Sequence, residues 1–243
     1  MSHYLKFVLP ALLVFLVALV SLFPLRMAMV MGKPAAFGYQ RVEGTVWNGM
    51  FHYPRIGRQE ARSLAVSLSP GGLLTGKAVT DFRLTGEDVS GTGTLTLSPG
   101  GHVQLSDSGI DIDLDRQAGF LRFRGNIYFS VDRLDLTDKG CDVIEGRFRT
   151  DLMKPLVSMG LWGDPENTGN LTCDKGRLIV TISDGQGEEQ RQVSFALDPL
   201  QMRLDTDISI RTGRQDVRET LTRAGFRKRN NSWVWHHQER VGS

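Results

Sequence analysis

Histidine and cysteine are scarce in these 243 residues, with five of the first and two of the second. The histidines are His3, His52, His102, His236 and His237. They form no H-x-x-x-H pair, and no cysteine lies near them at ligand spacing, so zinc chemistry has no footing. His236 and His237 are adjacent, and adjacent side chains of an extended strand point to opposite faces, where they cannot easily share a metal. No G-x-S-x-G elbow, P-loop or dinucleotide fingerprint is present. No catalytic, cofactor-binding or metal-ligating set is therefore nominated, and the chain is expected not to be an enzyme.

Net charge is also lacking. Lys and Arg number 29 against 27 Asp and Glu. Residues 1–33 hold Lys6, Arg26 and Lys33 and no acid, which leaves 26 bases against 27 acids in residues 34–243. A near-neutral domain does not suit a phosphate backbone, so nucleic acid is excluded as the main partner.

From Phe7 to Leu25 charge is absent altogether, over the 19 residues FVLPALLVFLVALVSLFPL. As a helix this run spans about 28 Å, close to the thickness of a bilayer's hydrocarbon core. Pro10 falls in the first turn, where its missing N–H costs little. A cleaved signal peptide is the alternative, but its apolar region is shorter and ends in small residues, whereas Arg26 and MAMVMG follow here. The expectation is a retained anchor with a short cytoplasmic tip, residues 1–33, and a domain of residues 34–243 outside. Basic residues flank the run on both sides, so the side rests on the tendency of long domains to translocate regardless of charge. In a Gram-negative host this places the chain in the inner membrane, single-pass, with its bulk in the periplasm.

Cys141 and Cys173 both lie in the exported part. An even pair in an oxidising compartment reads as a disulfide, with two buried thiols as the alternative.

Beyond residue 40 the chain alternates apolar and polar residues in short stretches. Examples are Leu64–Leu68, Leu95–Leu97, Val103–Leu105, Ile110–Leu114, Ile127–Val131, Leu134–Leu136, Val193–Leu197 and Asp207–Arg211. Period-two alternation predicts half-buried strands, and the turn-like breaks between them predict antiparallel neighbours. Ser-Pro-Gly-Gly occurs at Ser69 and again at Ser98, 29 residues on, which suggests a repeated hairpin but is too little for a solenoid. Two short helices are expected, Thr150–Met159 and Arg214–Ala224, and then a last strand Ser232–Trp235. The fold class is mainly β: an anchor followed by an antiparallel sheet, curved or closed into a barrel-like domain.

Several residues invite a chemical reading. Asp111, Asp113 and Asp115 could hold calcium, but they lack the EF-hand glycine and glutamate and read better as the wet face of a strand. Arg227-Lys-Arg229 reads as a solvated turn, or as a contact for an acidic partner. Val42–Gly49 sets Trp47 between Gly44 and Gly49 and reads as a strand with bulge glycines and a packed ring, or else as a binding surface.

The segment Gly44-Thr-Val-Trp47-Asn-Gly49, shortly after one N-terminal anchor, resembles the hallmark of the type II secretion system protein N family. Gly169–Leu178 and Leu221–Phe226 are similar to later motifs of that family. The resemblance implies a non-enzymatic inner-membrane accessory of the machine that exports folded periplasmic proteins. Its partners would be other secretion-system subunits. The alternative is an envelope lipid-binding or lipid-transfer protein with an apolar β-groove. A continuous open groove would favour lipid, and an interior filled by side chains would favour a scaffold.

Overall fold

The computed structural model describes residues 15, 18, 21–32, 37–56, 59–118, 121–158, 160, 162–185, 187 and 189–240. Most of the expected anchor, Phe7–Leu25, lies outside the described residues. Among the described residues, no helix is long and apolar enough to cross a membrane. Helix α1 is Leu25–Gly32.

Alternating chains leave every backbone N–H and C=O in need of a neighbour, and short turns supply the next strand as that neighbour. The result is a meander. A small sheet joins β1 (Phe37–Gly38), β4 (Arg55–Ile56) and β5 (Gln59–Glu60). The main sheet begins with β2 (Arg41–Gly44) and β3 (Gly49–His52). It continues through β6 (Ser63–Leu68), β7 (Ala78–Thr85), β8 (Val89–Ser98), β9 (His102–Ala118), β10 (Leu121–Thr137) and β11 (Gly140–Thr150). Then come β12 (Asn167–Asp174), β13 (Arg177–Asp184), β14 (Gln190–Asp198) and β15 (Arg203–Arg211). β17 (Ser232–Arg240) and β16 (Arg227–Arg229) complete it. Its 14 described strands pair antiparallel throughout, and its end strands β2 and β16 do not meet. The sheet is curved and open, so the barrel-like alternative does not hold.

β9 and β10 are 17 residues each, although the alternation suggests two short strands in each. The reason is a phase slip. Opposite Thr92–Thr94 the register shifts and Asp107 takes φ 49°, so apolar positions pass from odd (Leu105) to even (Ile110). A second shift at Val131/Arg133 moves the phase from Val131 to Leu134. One inserted residue flips the pattern while the strand continues.

The helices are shorter than expected or lie elsewhere. The first Ser-Pro-Gly-Gly opens α2 (Pro70–Leu74), with Ser69 at its N-cap, whereas the second copy makes the plain turn between β8 and β9, so the tetrapeptides do not build the same unit. α3 (Lys154–Ser158) begins four residues after Thr150, which ends β11, and Met159 is outside the described residues. Pro155 sits in the first turn of α3, where proline is tolerated and no earlier. α4 (Gln215–Arg223) matches expectation closely. It buries Val217 and Leu221, and Gly225 at φ 84° stops it. Arg227–Arg229 is an edge strand and not a turn. It pairs with β17 across Asn230, whose φ is 54°, and β17 itself runs past Trp235 to Arg240.

The buried core gathers in the second half of the sheet. Its members run from Val131 to Phe226 and include Met153, Val193 and Leu221, each 0% exposed. α3 and α4 lie against the sheet there, because a one-sided apolar sheet needs a second layer.

Cys141 and Cys173 form a disulfide across a separation of 32 residues. It sits at a sparse seam. β11 and β12 share a ladder of four residue pairs, Arg147↔Asn170 to Thr150↔Asn167. Away from that ladder, the disulfide and the Cys141 N–H bond to Gly176 O (2.8 Å) hold the strands together. Replacing both cysteines by Ala should lower unfolding stability by about 3–4 kcal/mol from loop closure alone. Urea unfolding of the oxidised wild type and the double variant measures this, and reductant should bring the wild type to the variant's midpoint.

Candidate functional site

Cross-strand partners lie on the same side of a sheet, so the register defines the inner face. In the first half, Val42 faces Phe51, Leu64 faces Leu84, Leu95 faces Leu105, and Ile112 faces Ile127. In the second half, Phe129 faces Phe148, Val180 faces Phe195, and Ile208 faces Trp235. None of these residues is charged. The charges alternate onto the outer face, where Arg83, Asp111 and Asp207 stand.

The two halves differ in cover. From β10 onward the inner face lies under Leu152, Met153 and Leu156 from the α3 segment, and under Val217 and Leu221 of α4. Between β6 and β9 it is half-buried and, among the described residues, has only α2 beside β7, which buries no residue. Phe51 is the covered exception, with the rings of Phe37 and Tyr39 edge-on at 5.2 and 5.5 Å.

Within the second half, and reaching the end of β9, lies a cavity of about 210 Å³. One wall is Leu114, Ile127, Phe129 and Phe148, from β9–β11. The other is Leu178, Val180, Phe195 and Leu204, from β13–β15. Strands this far apart in the sheet share a cavity only because the sheet bends between them. Gly169, at the bend, has no room for a side chain, since a Cβ would stand 2.6 Å from the Phe148 ring. Thr150 brings the polar side chain of the lining, and its hydroxyl is engaged. It donates to Asn126 O (2.9 Å) and accepts from Leu152 N–H (3.2 Å). A cavity lined this way offers water few partners.

The floor of the cavity is held by Asp151. Its carboxylate accepts the Asn126 N–H (2.6 Å) and pairs with Lys154, tying β10 to α3. Partial burial works to raise its pKa, but the bonds from Lys154 and the Asn126 amide, with the Lys154 charge, outweigh it and hold the carboxyl below its ordinary value.

The Gly44–Gly49 segment is a hairpin tip between β2 and β3, so Trp47 stands in a turn and not in the strand the sequence suggests. Gly44 has φ 85°, and a Cβ there would lie 2.3 Å from Asn48 O. The tip touches the end of the N-terminal apolar run. Val46 N–H donates to Phe23 O (3.1 Å), Pro24 bridges Thr45, and a Cβ on Gly49 would strike Leu25 at 2.2 Å. Trp47 O accepts from Leu68 N–H and from the Ser67 hydroxyl, both at 3.2 Å, which ties the tip to β6. The two glycines thus allow one hairpin to join the apolar run to the sheet edge.

Asp111, Asp113 and Asp115 lie exposed on the outer face of β9, with Asp115 paired to Arg122 at 2.7 Å. His236 Nδ1 meets Asp207 at 2.8 Å, and the His237 ring stacks on Trp235 at 5.6 Å, so the two histidines point to opposite faces. Among the described residues, no three His, Cys, Asp or Glu side chains are grouped to hold a metal. Alternation indicated wall residues such as Leu114, Ile127, Phe129 and Phe195 but not Phe148, and nothing in it indicated that the two walls meet. Asp151 carried no signal beyond its expected place in a helix's first turn.

A family model described as type II secretion system (T2SS), protein N, matches residues 35–234, about four-fifths of the chain. Neither a search of curated proteins nor one of solved structures finds a match.

The geometry at Asp151 predicts an acid-sensitive contact. Its folded pKa lies below the unfolded value of about 3.9, so its stabilisation is complete above that value and is lost as pH falls through the folded value. Asp151→Asn should lower the urea midpoint at pH 7, and the gap to wild type should close as the pH drops below about 4.

Proposed function

We propose that this chain, which belongs to the type II secretion system protein N family, is a non-enzymatic accessory of that machine, held in the inner membrane by its N-terminal apolar run and acting through protein contacts of its β-domain in the periplasm. The family match across residues 35–234 carries the reading. Membership makes the chain an accessory secretion component associated with other components of the system.

Membrane placement and domain division draw on other observations. Phe7–Leu25 is uncharged, and of its described part Phe15 and Leu22 stand 61% and 72% exposed, as lipid-facing side chains would. Met27 and Val30 of α1 are exposed as well. The Gly44–Gly49 hairpin would then be the joint between anchor, residues 1–33, and β-domain, residues 34–243. Gly44, Trp47 and Gly49 serve structure in this reading.

A joint of this kind predicts what a bulky residue would do. Gly49→Val would push Leu25 aside and loosen the tie to Phe23–Leu25, while the main sheet from β6 onward keeps its ladder. The full-length protein should remain with membranes through alkaline carbonate extraction, and a chain lacking residues 1–33 should be released. In cells, deletion of the protein should reduce export of a folded periplasmic substrate. Affinity capture of the full chain after crosslinking should recover secretion-system subunits, with recovery reduced by Gly49→Val. Unchanged export together with capture of no such subunit would sink the reading.

A further inference from the structure

The inner face is more than a scaffold's lining. Buried side chains fill its second half, yet from β6 to β9 it is a half-buried apolar surface with little above it. That surface runs without a charged residue across the partners Leu64↔Leu84, Leu95↔Leu105 and Ile112↔Ile127 into the 210 Å³ cavity. Two kinds of occupant could cover it, a protein segment or a hydrocarbon chain.

The chemistry of the face separates them. The strands beneath it lie inside the sheet, with ladders on both sides, so their backbone groups are used. Its side chains are carbon, apart from a few small hydroxyls such as Thr80 and the engaged Thr150. An extended peptide laid across such a floor would find no partner for its own N–H and C=O groups, and a helix would need an apolar stripe of its own to match it. An acyl chain has no such groups. The cavity would take about seven methylenes, if each fills roughly the 30 Å³ share of a water molecule.

Position supplies the source. The face begins at β2 and β3, and their hairpin tip is bonded to Phe23 and Pro24 at the end of the 19-residue apolar run. If that run lies in the bilayer, the open end of the face stands at the membrane surface, and the cavity lies farther along the sheet. We propose that the inner face accepts an acyl chain of a membrane phospholipid, which lies along β6–β9 with its end in the cavity between β9–β11 and β13–β15. This goes beyond the secretion role and rests on the membrane placement proposed above.

The test uses the full chain in vesicles of phosphatidylethanolamine and phosphatidylglycerol, doped with a phosphatidylcholine carrying a diazirine near the end of one acyl chain. After irradiation, the adducts are mapped by peptide mass spectrometry. The proposal expects adducts on peptides of β9–β11 and β13–β15 as well as on residues 1–32. Adducts confined to residues 1–32 would overturn it and leave the membrane placement standing, with the face then free for a protein. Adducts nowhere would remove both. Leu197 of β14 also lines the cavity, and Leu197→Trp fills it without adding charge and should cut the strand adducts about tenfold, leaving those on residues 1–32 unchanged. Gln192→Trp, on the outer face of the same strand, should leave both sets unchanged, and equal strand labelling in all three proteins would refute a site in the cavity. The wild-type map decides the proposal even where a variant unfolds.

Discussion

A very wide antiparallel sheet with one apolar face has to solve a burial problem, and the rest of this structure follows from how it does so. The hydrogen-bonded ladder runs from β2 to β16, and among the described residues the one other sheet is the small β1–β4–β5 sheet, which meets it at Phe51. Two packed sheets would bury both inner faces at once. Here the sheet bends, so that β9–β11 come to oppose β13–β15, and short helical segments fill the space left at the ends. The Phe148 ring lies over its partner position on β12, where Gly169 has no side chain to collide with it.

That solution is complete in one half only. In the half from β10 to β17, two helices, Trp162 and the disulfide secure the closed form. Polar groups there serve the same end. Thr150 and Asp151 spend their hydrogen bonds on fastening α3 to β10, and the Trp162 indole N–H donates to Asn167 (3.2 Å). In the other half the ladder is equally continuous, but the apolar face keeps its exposure. An exposed, continuous apolar surface in a folded chain marks a place for a partner or a lipid. The open half thus leaves its apolar face accessible, and the closed half holds the buried core.

The edges complete the picture. A wide open sheet has two strands with unpaired backbone, which invite association. At one end β16 is three residues long, and all three are basic and exposed, which blunts pairing. At the other end the β2–β3 hairpin is bonded to the apolar run. The sheet thus has a charged end and an end tied toward the apolar N-terminus.

Period-two alternation made the strands and their antiparallel order legible, because side-chain direction is a local pattern, and the even cysteine count pointed to the Cys141–Cys173 pair. The same pattern misled where one residue was inserted. At Asp107 and near Asp132 the phase flips, so single long strands look like pairs. Gly44 and Gly49 were visible as glycines beside a tryptophan, but a turn and a bulged strand ask for the same residues. Arg227–Arg229 looked like a turn because an edge strand needs no apolar face. What the sequence determined by itself was an apolar N-terminal run, a neutral β-domain and a one-sided apolar pattern, since side-chain direction follows from backbone period. Whether the sheet closes, which strands face each other across a cavity, and which half stays open were decided only in three dimensions. Those depend on how far a twisted sheet bends before its own helices fill the gap, and alternation does not record that distance.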